Sequence, residues 1–189
     1  MNVQPISKGK FLAGIFGPIA LIFVIGFGAS LFVDPETGNG SAALGAGVML
    51  LMLASLATMV VTICMLIYKM WDAIQDGHAR TSPGKAIGFM FIPFFNLYWI
   101  FQAYYGWTVD YNKLVQRHQV QGAQRMPEGL ALTMCILTLA TIIPILGIFI
   151  ALVNCVLMIV FFNSAINGVN SLVGATTAAP QAEMRSMAA

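Results

Sequence analysis

The chain reads as an all-α membrane protein: four transmembrane helices, a Pro-broken aromatic re-entrant segment and an interfacial amphipathic helix. Three observations lead there. Only 8% of the 189 residues are charged and 59% are hydrophobic, with a mean hydropathy of +0.83. A soluble domain carries about 25% charged residues, so lipid must be the solvent for most of this surface. Charge-free runs long enough to cross a bilayer recur along the chain, and one of them is broken by Pro93 and carries Asn96 at its middle. The length suits one domain, taken here as a single membrane domain over 1–172.

Lys8 and Lys10 precede 23 residues without a charge, 11–33. As helix that run is roughly 35 Å long, enough for a hydrocarbon core of about 30 Å. Two lysines, an apolar stretch and Gly28-Ala29-Ser30 also fit a signal peptide, but the run is long for one, and it is read as a retained first span. DPETGNG (34–40) is turn chemistry, and Ser41 can cap the next helix. The second span is 42–68, closed by Lys69 and Trp71 as interface anchors. WDAIQDGHAR then continues as a short polar helix that Gly77 stops.

Residues 86–107 could span, but Pro93 removes a backbone donor and disfavours helix at Ile92. The expected form is a short helix over Ala86 to Phe91, a break at Ile92-Pro93 and a second helix from Phe95. Broken backbone inside a membrane needs protein or a wet cavity around it, so this segment is expected within the bundle and away from lipid. Trp107, Tyr111, Leu114 and His118 then mark one helical face and Asp110, Lys113 and Arg117 the other. That pattern predicts an interfacial helix over about 107–121.

Residues 130–172 carry no charge, too long a stretch for one crossing. Pro144 and Gly147 supply a fold-back, which gives spans at about 130–143 and 147–168 and leaves 173–189 as a flexible tail. With 86–107 re-entrant, all nine Lys and Arg residues fall on one side of the membrane, leaving Asp34 and Glu36 as the charges opposite. If that segment crossed, the basic residues would divide five to four. The positive-inside rule therefore favours the re-entrant form, with both termini cytoplasmic. IPFFNLYWIF (92–101) echoes IPILGIFIAL (143–152), and YKMWDAIQDG (68–77) faintly echoes FFNSAING (161–168). Shared membrane-helix composition is the preferred account, with a duplicated hairpin as the alternative.

Few constellations suggest chemistry. Asp72, Asp76 and His78 could group around a cation, with the aspartates at i, i+4, but a solvated helix end has the same make-up. The three cysteines lie in apolar runs without C-x-x-C spacing, and His78 and His118 are not placed to share a haem. Thr81-Ser82-Pro83-Gly84-Lys85 lacks phosphate-loop spacing and reads as a lead-in turn. Asn163, Asn167 and Asn170 share a face suited to interhelical hydrogen bonds. No ionisable residue lies in any span, which disfavours a pump or proton-coupled carrier. No catalytic pattern, metal site or cofactor motif emerges, and a net charge of +2 without a basic stripe excludes a nucleic-acid partner.

The segment IQDGHARTSPGKAIGFMFIPFFNLYWIFQAYYGWTVDYN resembles a set of uncharacterised bacterial multi-pass membrane proteins carrying TSPGKA-x-GF-x-FIPFFN-x-YW. The resemblance covers about 40 residues and implies a bacterial membrane protein, with no catalytic residue to transfer, and the inner membrane is the expected location. The expected function is a non-enzymatic accessory or scaffold subunit of a membrane assembly. Its expected partners are the lipid bilayer and other membrane subunits or further copies of itself. Arg80, Lys85, Asn96, Tyr98, Trp99 and Trp107 are the candidate lipid or partner contacts. The alternative is a channel or passive carrier for a small neutral solute or lipid, with the broken helix lining its path.

Overall fold

Seven α-helices succeed one another in the computed structural model, which describes residues 4–31, 42–120 and 122–187, with side chains over 4–31, 45–120 and 122–175. They are α1 (Lys8–Ser30), α2 (Ala42–Asp72), α3 (Pro83–Gly88), α4 (Phe95–Ile100), α5 (Trp107–Arg117), α6 (Glu128–Ala140) and α7 (Leu146–Met187). A 3-10 turn, Phe89–Phe91, extends α3, and a π-helix, Phe101–Gly106, joins α4 to α5. No strand occurs among the described residues. Three helical stretches are long and apolar enough to cross a membrane: Lys8–Ser30, Gly45–Asp72 and Leu146–Ala175. Their most apolar windows bury only 11%, 17% and 22% of their residues inside the protein, an exposed apolar surface consistent with a lipid bilayer around it.

Residues 9–65 form one unit, an antiparallel pair in which Gly14 meets Thr62 and Gly26 lies near Met52. The polar link at 34–40 lies outside the described residues.

The second unit comprises 1–8 and 66–189 and holds the aromatic core. Trp71, at the end of α2, donates its indole N–H to the Ala103 carbonyl at 3.1 Å, while Trp107 donates to the Met70 carbonyl at 2.7 Å. This reciprocal pair locks α2 to the start of α5. Trp107 stacks on Tyr111, and Phe161 and Phe162 of α7 meet Tyr104 edge-on. Trp71, Trp107, Tyr111, Phe161 and Phe162 are all fully buried, and burial of one such side chain contributes about 1.5–3 kcal/mol. Trp71 is therefore a core residue, not the interface anchor its position suggests. The face of α5 formed by Trp107, Tyr111 and Leu114 is likewise covered by protein, which replaces the headgroup contact expected of an interfacial helix.

Two asparagines act as backbone mimics in this unit. Asn112 accepts from the Met126 amide at 2.8 Å and donates to the Met126 carbonyl at 2.9 Å. Asn170 does the same to Ile6, at 2.7 and 2.9 Å. Each clamped residue is buried and lies two positions ahead of a helix start, Glu128 or Lys8. Asn170 thus ties the N-terminal segment to α7, and the interhelical role expected of the asparagine face passes to Asn154, which donates to Thr138 of α6 at 2.9 Å.

The two Pro-broken turns are built alike. Phe94 and Ile145, each just after the proline, have φ of 62° and 67°. In both turns the next amide reaches back to the proline carbonyl at 2.7 Å: Phe95 to Pro93, Leu146 to Pro144. The amide after that bonds the isoleucine before the proline, Asn96 to Ile92 at 3.0 Å and Gly147 to Ile143 at 2.7 Å. These are positive-φ γ-turns, rare and strained in most settings. A β-branched residue such as Ile145 is an extreme occupant. Shared composition does not account for matched hydrogen bonds, so the sequence echo at 92 and 143 reflects a repeated turn.

Other boundaries differ from expectation. α2 stops at Asp72, so the polar helix expected to run on to Gly77 is absent and Asp72 and Asp76 do not share a helical face. α6 has 13 residues, roughly 20 Å, and is too short to cross alone. α7 runs helical to Met187, through the segment read as a tail from 173.

Candidate functional site

The broken segment begins on a capped helix start. Ser82 is extended and its hydroxyl accepts the Lys85 amide, while Pro83 occupies the first turn, where its missing N–H costs nothing. α3 and the 3-10 turn then carry the chain roughly 15 Å to Phe91. The Pro93 turn reverses it, and Trp99 on the returning α4 donates to the Ala86 carbonyl at 2.9 Å. Phe95 stacks on Trp99, and Phe89 meets both edge-on. The result is a small aromatic hairpin closed on itself.

Its tip is not enclosed by the bundle. Phe94 is 87% exposed, Phe91 64% and Tyr98 56%, which overturns the expectation of a segment packed within protein. That expectation assumed that a backbone break needs outside partners. Here the γ-turn bonds the Phe95, Asn96 and Leu97 amides locally, and proline carries no N–H to satisfy. An apolar tip with these three amides closed can face lipid.

At the hairpin's base, Arg80 is held rather than free. Its guanidinium contacts Asp110 at 2.8 and 3.0 Å and Gln102 at 3.3 Å, and its backbone N–H also donates to Asp110. Gly106 makes the reach across the π-helix feasible, since a Cβ there would lie 3.0 Å from an Arg80 nitrogen. Gln102 in turn donates to the Tyr98 hydroxyl at 2.8 Å. Next to this pair, Asp76 receives Arg117, His118 and the His78 amide. Burial alone would raise the Asp76 pKa, but those hydrogen bonds and the Arg117 charge outweigh it and hold the carboxyl below its ordinary value. Asp76 is thus committed to an ion-pair joint with Arg117 and His118, and the Asp72 carboxylate takes no part in it.

The six candidate contacts therefore divide. Tyr98 is exposed on the hairpin, Asn96 and Trp99 are half-buried there, and Lys85 is exposed near its base. Arg80 is exposed but held by Asp110, and Trp107 is fully buried and available to neither lipid nor partner. Sequence reasoning missed Asp110 as the partner of Arg80, because 30 positions separate them with no local pattern to link them. It also missed Asn112, whose amide looks like any polar residue on a solvated helix face.

Two cavities among the described residues of this unit stand out by their polar lining. One of about 190 Å³ is lined by Asp76, His78, Asp110, Lys113 and Arg117 among others. The second, about 300 Å³, opens between the residues before α6 and the polar face of α7. Neither includes Asn96. No protein-family model, no curated protein and no solved structure matches the chain.

Proposed function

We propose that the chain is a non-enzymatic accessory or scaffold subunit of a larger assembly in a bacterial inner membrane, with both termini cytoplasmic. One observation carries the reading: two arginines and two asparagines of the second unit are committed to holding its segments together. Arg80 joins Asp110, Arg117 joins Asp76, and Asn112 and Asn170 clamp Met126 and Ile6. What faces outward along the helices is apolar and aromatic surface, including Phe91, Phe94 and Tyr98. In this arrangement α1 and α2 cross, the first hairpin dips and returns, and α6 with α7 makes a second hairpin. Its wholly apolar turn, Ile142 to Leu146, stays in the hydrocarbon. The positive-inside balance supports the same topology.

The alternative, a passive carrier through the broken segment, draws no support from these two cavities, neither of which Asn96 lines. The scaffold reading is tested by purifying the protein in mild detergent and measuring particle mass. A complex of fixed stoichiometry is expected, and replacing Phe94 and Tyr98 with serine should dissociate it. A monomer without partners at every detergent concentration would contradict the reading.

A further inference from the structure

The two cavities differ in charge. The smaller is balanced, with Lys113 and Arg117 facing Asp76 and Asp110. The larger has Arg125 on its wall and no carboxylate. Arg80 and Arg117 are each neutralised by an aspartate, whereas Arg125 makes no ion pair among the described residues. Glu128, three residues on, is no part of the wall and accepts from Asn112. Gln124, Ser164, Asn167 and Ser171 complete the polar lining. Ser164, Asn167 and Ser171 recur at i, i+3, i+7 and so project from one face of α7. Ser171 commits its proton to the Gly168 carbonyl, leaving Gln124, Ser164 and Asn167 as side-chain donors in the same lining as Arg125. The Asn112 clamp on Met126 fixes the backbone next to Arg125, so the rim is pre-positioned.

Just beyond the cavity the surface turns apolar. Leu132 and Ile136 on α6, and Val156, Ile159 and Val160 on α7, are exposed along the same two helices. A guanidinium fork with neutral donors suits a phosphate group, and a flanking apolar strip suits acyl chains. We propose that this cavity binds the phosphate of an anionic phospholipid, with its chains lying along α6 and α7. The shared chemistry with free phosphate is the oxyanion, while the apolar strip selects the lipid.

The test titrates the full-length protein in maltoside micelles with dioctanoyl phosphatidylglycerol, dioctanoyl phosphatidylcholine or inorganic phosphate, by calorimetry. Phosphatidylglycerol should bind at least about tenfold more tightly than either of the others. Arg125→Gln should lose about tenfold or more, the worth of one charge-assisted contact. Asn167→Leu, which narrows the cavity while keeping Arg125, should also weaken binding, and it serves if the arginine variant fails to fold by circular dichroism. Lys113→Gln, in the balanced cavity, should bind as the parent does. Equal losses from Lys113→Gln and Arg125→Gln would reveal unspecific charge attraction and overturn the site, as would unchanged binding by a folded Arg125→Gln or Asn167→Leu protein. Inorganic phosphate binding as tightly as the lipid would overturn the lipid as the ligand's source.

Discussion

At Asp76 three groups converge on one carboxylate whose side chain is only 5% exposed, and together they join the end of α2 to the end of α5. The folded pKa lies below the ordinary carboxylate value of about 3.9. Asp76 therefore stabilises the fold fully above that value, and the contribution is lost as the pH falls through the folded pKa. Asp76→Asn should cost about 1–3 kcal/mol at pH 7 and flatten the acid side of the stability profile, read by thermal unfolding in detergent. An acid fall identical to the parent's would show that other carboxylates set it. Asn112 matters for a different reason: Asn112→Ala leaves both the N–H and the C=O of buried Met126 unpartnered. A loss of about 2–3 kcal/mol is expected, whereas an effect near zero would mean that water replaces the amide.

The repeated γ-turn defines the element scale. Left-handed backbone costs an L-residue roughly 1–2 kcal/mol, and the Ile145 side chain is 79% exposed, so it recovers little by packing within the protein. Ile145→Gly should therefore be neutral or raise stability by up to about 1 kcal/mol, after glycine's own entropic cost of about 0.5–1 kcal/mol. A clear loss would show that the side chain holds the turn in place. Gly147→Ala should do the reverse, because a Cβ there would lie 2.2 Å from the Thr141 carbonyl oxygen, and overpacking of this kind costs about 1–3 kcal/mol or more. The breaks at Pro93 and Pro144 were legible because proline acts through its own ring and missing donor. The positive φ at the next residue was not, since Phe and Ile are among the last residues expected there. Helix faces were also readable as apolar, as Trp107, Tyr111 and Leu114 demonstrate. The material covering them was not, because lipid and protein are equally apolar partners. The long-range joints were hidden for want of a local pattern: Arg80 with Asp110, Asn112 with Met126, and Asn170 with Ile6.

For the whole molecule, the buried aromatic core and its polar clamps gather the chain before α1, the end of α2, both ends of the broken segment, the start of α6 and the middle of α7. A chain whose hairpins all return to one layer should expose that layer to a single compartment. The direct measurement is thiol accessibility in intact cells, in a background with Cys64, Cys135 and Cys155 replaced. Single cysteines are placed at Lys85, Lys113, Arg125 and Asn39 and challenged with a membrane-impermeant reagent. The proposed topology predicts no labelling at 85, 113 or 125 until the membrane is opened, and ready labelling at 39. Labelling at 113 and 125 but not at 85 would mean that the segment between crosses the membrane, and the shared layer would be wrong.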